Sequence, residues 1–264
     1  MMSDIRSCCL TIAGSDSGGN AGVQADLRTF HAFGIHGATV FAALTAQNPF
    51  SVNAIHQVDP DFVAAQLDAV LGVYSISALK TGMLADPDVI RTVAGRISAF
   101  PKIVKVADPV MVATSGARLI SAEAVEAMKR DLLPLADVMT PNIPEAETLS
   151  GMAIVSVDDM RESARRLYGM FGSAVLVKGG HFAAGSADVE DVLFDGKEFS
   201  SFAMARIENP VSTHGTGCTL SAALAAALAT GLTVKEAVAK AKRYVHGAIS
   251  SSYFVGPDCG VLGF

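Results

Sequence analysis

The chain has 264 residues, 50% of them hydrophobic and only 17% charged, with a formal net charge of −6. Such a composition supports an extensive core and excludes a long disordered segment. The negative balance argues against a nucleic-acid or anionic-membrane surface, so neither partner is expected. The length allows one large α/β domain or two small ones. The four cysteines, Cys8, Cys9, Cys218 and Cys259, show no zinc spacing, which predicts a reduced, cytoplasmic protein. No long apolar region precedes Gly14, and Asp4 lies there, so no secretory signal is evident.

In chain order, Cys8 to Ala13 is a short apolar run that predicts the first strand. A loop follows, Gly14-Ser-Asp-Ser-Gly-Gly-Asn-Ala-Gly22, and Val23 to Phe33 has helical spacing. Strand, glycine loop and helix suggest a nucleotide site, but the residues match neither G-x-G-x-x-G nor a G-K-[ST] phosphate loop. Asp26, one turn into the helix, is either an acid favouring the helix N-terminus or a carboxylate facing a pocket. Ala38 to Ala46 predicts a strand ending at Gln47, with a loop from Asn48-Pro49. Pro60 to Leu71 predicts a helix with Phe62, Val63, Leu67, Val70 and Leu71 on one side.

Ile76 to Leu79 predicts a strand, followed by Lys80-Thr-Gly-Met-Leu84, and Asp86-Pro87 starts a helix to about Phe100. Ile103 to Ala107 is an apolar strand broken by Lys105. It closes on Asp108-Pro109-Val-Met111, which puts Asp108 at the strand end where ligands bind in open parallel sheets. Asp-Pro also starts turns for purely local reasons. Thr114-Ser115-Gly116 falls in the next loop. Ala122 to Leu133 predicts an amphipathic helix ended by Pro134. Asp137 to Thr140 predicts a short strand. Thr140-Pro-Asn-Ile-Pro-Glu145 opens a helix, with Pro144 suited to the first turn and Glu145 to its positive end.

Ala174 to Val177 predicts a buried strand that ends on Lys178-Gly-Gly. A lysine ending a central strand is costly unless it meets an anion, so Lys178 is read as a nucleotide-phosphate contact, with a solvated strand end as the alternative. Val192 to Phe194 and Lys197 to Phe202 predict a hairpin around Asp195-Gly196. The most informative stretch is Ser212 to Gly231, S-T-H-G-T-G-C-T-L-S-A-A-L-A-A-A-L-A-T-G. Thr219 to Ala229 predicts a helix. A glycine turn feeding a helix N-terminus is an anion site, and Cys218 lies where a thiolate is stabilised. A buried Ala-rich helix with Cys218 as core filler is the alternative from spacing alone. Val234 to Tyr253 predicts the final helix. Alternating apolar strands and helices predict an α/β fold, a three-layer α/β/α sandwich around a mainly parallel sheet.

Thr213-H-G-T-G-C-T-L-S-A-A resembles the anion-hole signature of the ribokinase-like superfamily. It takes the form found in hydroxymethylpyrimidine/phosphomethylpyrimidine kinases of thiamine biosynthesis, where Cys replaces the more usual Asp. The loop A-G-S-D-S-G-G-N-A-G-V-Q-A-D, the K-T-G-M-L and the T-P-N-I-P-E segments are similar to that family too. The resemblance implies one ribokinase-like domain over 1–264, a homodimer, ATP and Mg²⁺. It implies substrate contacts at Gln47, Asp26 and Gly14 with Met83 as an apolar cover. It implies nucleotide contacts at Lys178, Asn142, Thr140 and Thr213, and a magnesium site, through water, at Asp108 and Glu145. It implies charge stabilisation by Gly215, Thr216, Gly217 and Cys218, with Cys218 as the base. Relatives often carry Lys where Thr114 stands, so a phosphate contact from that loop does not carry over. The tail from Gly256 matches the family only loosely, and Cys259 receives no role. The activity implied is phosphorylation of 4-amino-5-hydroxymethyl-2-methylpyrimidine and its monophosphate. A pyridoxal kinase and a non-catalytic pyrimidine sensor are the alternatives.

Overall fold

A computed structural model describes residues 7–112, 120–181 and 187–264. Thr114, Ser115 and Gly116 lie outside them. The chain runs β1 (Cys8–Asp16), α1 (Gly22–Ala32), β2 (His36–Asn48), β3 (Ser51–Gln57), α2 (Pro60–Leu71), β4 (Ile76–Thr81), α3 (Pro87–Ser98) and β5 (Val104–Ala107). It continues α4 (Ala122–Ala127), β6 (Val138–Met139), α5 (Ile143–Ser150), α6 (Val157–Phe171), β7 (Ala174–Val177), β8 (Asp188–Phe194) and β9 (Phe199–Ala205). It closes with α7 (Thr216–Ala229), α8 (Val234–Ser250), β10 (Tyr253–Gly256) and β11 (Cys259–Val261).

The main sheet has the order β3-β2-β1-β4-β5-β6-β7-β8-β9. The pairs from β2 through β7 are parallel, and β3, β8 and β9 join antiparallel at the two edges. The central strands are apolar on both faces because both are covered. One core packs α2 to α6 against the sheet, and the other packs α1, α7 and α8. The three-layer α/β/α expectation holds. Strand order reverses between β1 and β4, the point at which an open parallel sheet leaves a crevice at its carboxyl ends.

Local signals explain several boundaries. Asp59 and Asp86 cap α2 and α3, each with Pro in the first turn. Asn142 and Glu145 form a reciprocal capping box on α5. The predicted helix over 122–133 ends as α at Ala127. A π turn over Met128–Leu132 and a 3₁₀ turn over Leu133–Leu135, which contains Pro134, complete it. The final helix stops at Ser250 rather than Tyr253, and the residues beyond form the β10–β11 hairpin. Thr219 to Leu228 of α7 are all buried, and small side chains let this helix lie close on β1, β4 and β5.

Candidate functional site

A cleft of about 710 Å³ opens at the carboxyl ends of the parallel strands, at the reversal point. Gly14 to Asp16 reach it from β1, Gln47 from β2, Asp108 from beyond β5, Asn142 from beyond β6 and Lys178 from beyond β7. The first turn of α7, Thr216 to Cys218, forms one wall. The glycine turn and Gln47, distant in sequence, therefore face one space.

Gly215 caps α7 with φ 86°, a left-handed conformation that favours glycine. A Cβ there would strike the carbonyl oxygen of Asn20. The Thr216 amide is satisfied by the Thr213 carbonyl at 3.4 Å. Among the described residues, no protein acceptor meets the amides of Gly217 and Cys218. These two orphan donors carry the partial positive charge of the helix start.

Behind that turn lies a buried charge network. Lys178 Nζ is 3.0 Å from Asp108 Oδ1, and Ser221 Oγ donates to Asp108 Oδ2 at 3.1 Å. Burial pushes Asp108 up, but the Lys178 and Lys80 ammonium groups outweigh it and hold the carboxyl below its usual range. Glu145 goes the other way. Burial pushes it up to about 7, with Lys178 opposing and the Asp108 charge adding to the rise. A Cβ on Gly217 would stand 3.6 Å from Lys178 Nζ, so the ammonium lies directly beside the orphan amides.

The Gln47 side of the cleft is framed differently. A Cβ on Gly14 would come within 2.5 Å of Met83 Cε, so the methionine methyl covers the glycine closely. Ser17 Oγ fastens the Gln47 backbone, accepting from its N–H and donating to its carbonyl, both at 2.8 Å. His214 lines the same corner, with Nε2 3.4 Å from Asp16 Oδ2.

Residues 16–262 match the phosphomethylpyrimidine kinase family model. The chain belongs to the phosphomethylpyrimidine kinase family. It is 50% identical, over 97% of its length, to the thiamine biosynthesis bifunctional protein ThiED of Geobacter sulfurreducens, and spans about half (51%) of that protein. It is 47% identical to a hydroxymethylpyrimidine/phosphomethylpyrimidine kinase of Rhizobium meliloti, covering 92% of this chain and 90% of the relative. Among solved structures it resembles an ADP complex of Bacillus subtilis pyridoxal kinase, with TM-score 0.88 and 37% identity, covering 97% of this chain and 96% of that one. The fold of this family member is thus ribokinase-like, as expected.

Most residues expected at the site line the cleft: Gly14, Gln47, Met83, Asp108, Asn142, Glu145, Lys178, Thr213 and the 215–218 turn. Three expectations are corrected. Asp26 does not face the pocket. It is fully buried, taking Lys80 Nζ at 2.8 and 3.0 Å and the Thr11 hydroxyl at 2.5 Å. Thr140 is equally buried and donates to Asp108 Oδ1 at 3.2 Å, so it supports the carboxylate rather than reaching a nucleotide. Cys218 is not a lowered-pKa thiol. Burial pushes it up to about 11, against the pull of Lys80 and the Gly22 amide, while Asp26 and Asp108 push the same way as burial. The helix start alone does not overcome that desolvation. Alkylation of Cys218 by iodoacetamide, followed by mass spectrometry, is therefore expected to rise about tenfold per pH unit from 7 to 10. A plateau reached below pH 8 would contradict it.

Sequence reasoning missed Lys80, Asp16 and His214. Lys80 offered a usable signal, since it too is a lysine at the end of an apolar strand. Asp16 and His214 stood inside quoted motifs, but nothing in the spacing pairs them.

Glu145 yields a second prediction. A carboxyl raised from 4.5 to about 7 binds its proton more tightly folded than unfolded. Stability is therefore complete below about pH 4.5 and is lost as pH rises to about 7. Glu145→Gln keeps an oxygen for the Asn142 N–H, bonded at 2.8 Å, without the buried charge. The variant is expected to be more stable than wild type at pH 8, by on the order of 2–3 kcal/mol, and equal at pH 4.5. Chemical denaturation at the two pH values measures this.

Proposed function

We propose that the chain transfers the γ-phosphoryl group of ATP to the hydroxymethyl oxygen of 4-amino-5-hydroxymethyl-2-methylpyrimidine, and then to the resulting monophosphate, for thiamine diphosphate biosynthesis. The observation that carries this reading is the pair of unpartnered amides at Gly217 and Cys218, facing the cleft that also holds Lys178 and Gln47. Family membership supplies the substrate class, through the names of the relatives described above. One domain of cytoplasmic origin, acting as a homodimer, fits the same reading.

Phosphoryl transfer has a loose transition state, so the protein's work is positioning and charge stabilisation. The Gly217 and Cys218 amides would hold the equatorial oxygens of the group in transfer. Lys178 would neutralise the β- and γ-phosphates, and Asn142 and Thr213 would border the nucleotide. Asp108 and Glu145 suit a hydrated magnesium ion better than a direct one, because their oxygens already serve Lys178, Ser221, Thr140 and the Asn142 amide. Asp108 and Glu145 raise each other's cost of ionisation, and a cation beside them relieves it. A magnesium ion, when bound, screens the charge on the phosphates. Cys218 would receive the hydroxymethyl proton as a thiolate, so the thiol, whose pKa burial raises, would first release its own proton to solvent.

The deciding experiment is ADP release with a panel of hydroxymethyl heterocycles, with and without magnesium. The 4-aminopyrimidine alcohol and its monophosphate are expected to be turned over best. Preference for pyridoxal would overturn this choice in favour of the activity named in the structural relative, and binding without ADP release would favour a sensor. In the same assay Cys218→Ala is expected to lose about 10²–10⁴ in kcat. Undiminished turnover would remove the thiol from the mechanism.

A further inference from the structure

The Gln47 side chain lies between two neighbours. As placed, its Oε1 is 3.2 Å from Thr45 Oγ1 and its Nε2 is 3.5 Å from His214 Nε2, and the neighbours argue for the reverse orientation. The two ends of an amide have the same shape and opposite hydrogen-bond character, so the neighbours decide which is which. Thr45 has one hydroxyl proton, and it goes to the Ser15 carbonyl at 2.8 Å. Towards Gln47 it offers only lone pairs, so the amide end it faces is the NH₂.

His214 leads to the same orientation independently. Its Nε2 stands 3.4 Å from Asp16 Oδ2. The Asp16 carboxyl also accepts the amides of Gly18, Asn20 and Ala21 at 2.8 to 3.0 Å. Burial pushes Asp16 up, but His214 and those amides outweigh it and keep the group an ionised carboxylate. A carboxylate only accepts, so Nε2 carries the proton. The amide end beside that N–H is the carbonyl oxygen.

We propose that Thr45, His214 and Asp16 are positioning residues that lock the Gln47 amide in one orientation and thereby set the choice of heterocycle. This rests on the pyrimidine-kinase reading. A 4-aminopyrimidine edge pairs an exocyclic N–H donor with a ring-nitrogen acceptor. A 4-oxopyrimidine edge has the reverse, a carbonyl acceptor beside a ring N–H. A free glutamine serves both by turning over. A locked one meets the oxo ring with acceptor against acceptor and donor against donor, and a site built for one pattern rejects the other strongly. The lock thus excludes oxo rings of nearly identical shape that an apolar pocket could not reject.

The test compares kcat/KM for 4-amino-5-hydroxymethyl-2-methylpyrimidine and its 4-oxo counterpart, in wild type, Thr45→Val, His214→Phe and Thr45→Ser. Wild type is expected to favour the amino ring by about 10³ or more. Thr45→Val and His214→Phe are each expected to lose at least about tenfold of that ratio, mainly through a lower KM for the oxo ring relative to the amino ring. Thr45→Ser, which keeps the hydroxyl, is expected to retain it. Each ratio is taken within one preparation, so a reduced folded fraction cancels. Wild-type ratios in both Thr45→Val and His214→Phe would overturn the lock and leave the function standing. A wild-type protein inert towards the amino ring would overturn the function, and the lock with it.

Discussion

Lys178→Met is expected to lower kcat/KM for ATP-dependent turnover by about 10³–10⁴. The magnitude follows from comparable cationic groups on a transferring phosphoryl, whose removal costs on that order or more. Lys178 directly follows β7, and its backbone is fixed by a 2.9 Å hydrogen bond from its N–H to the Pro141 carbonyl. Its ammonium is buried and stays charged. Burial pulls its pKa down, but Asp108 and Glu145 outweigh this and raise it. Methionine keeps the length of the side chain and removes the charge. Two carboxyl groups then face each other with no cation between, and one takes up a proton. The loss is expected mostly in kcat, with a stability decrease on the order of 3–5 kcal/mol from the broken buried pair. Single-turnover kinetics and a denaturation curve separate the two effects. A kcat within tenfold of wild type would place Lys178 outside the reaction.

Gly215→Ala is expected to cost about 10²–10³ in kcat, the scale of losing one oriented donor to a transition-state oxygen. A side chain at φ 86° is strained, by about 1–3 kcal/mol, before any contact is counted. Its Cβ also meets the Asn20 carbonyl, and the Asn20 amide is tied to Asp16 Oδ2 at 3.0 Å, so that loop yields poorly. The turn must shift, taking the Gly217 and Cys218 amides with it. Gly217→Ala is the useful comparison. A Cβ there meets nothing nearer than 3.6 Å, so the fold is expected to hold, while the methyl group occupies space beside Lys178. Steady-state kinetics with melting temperatures distinguish a displaced turn from an obstructed one.

Much of this architecture was legible from residue order. Helix α2 lies over Pro60–Leu71 as predicted, with Val63, Leu67 and Leu71 buried, but Phe62, expected on the same side, is exposed. The buried central strands read correctly as apolar runs, and the glycine turn, Lys178 and Gln47 all reach one cleft. Of the elements the sequence reading does not anticipate, which include the β10–β11 hairpin, β3 and α6 have different reasons. β3 is a mostly exposed edge strand whose polar residues gave no alternation, and it exists because β2 offers it a partner. α6 carried its own signals, an N-capping Ser156 and a closing Gly172 with φ 76°, and went unread. The site errors have a common cause. Position along an element does not tell what stands opposite. Asp26 meets a lysine 54 positions away, and Thr140 a carboxylate 32 positions away. The Cys218 expectation counted the helix start and left out burial.

The carboxyl-terminal hairpin bears on the glycine turn. Gly260 sits so near the backbone oxygen of Val211 that a methyl group would not fit, and Val211 directly precedes the segment feeding α7. The Gly263 amide is fastened to Ala248 at 3.0 Å, and Arg28 lies over the Phe264 ring. Residues 260–264 thus act as a buckle on the segment of chain that delivers the glycine turn. A side chain introduced at Gly260 or Gly263 would meet the Val211 or Ser251 backbone oxygen and open that buckle, although neither glycine lines the cleft.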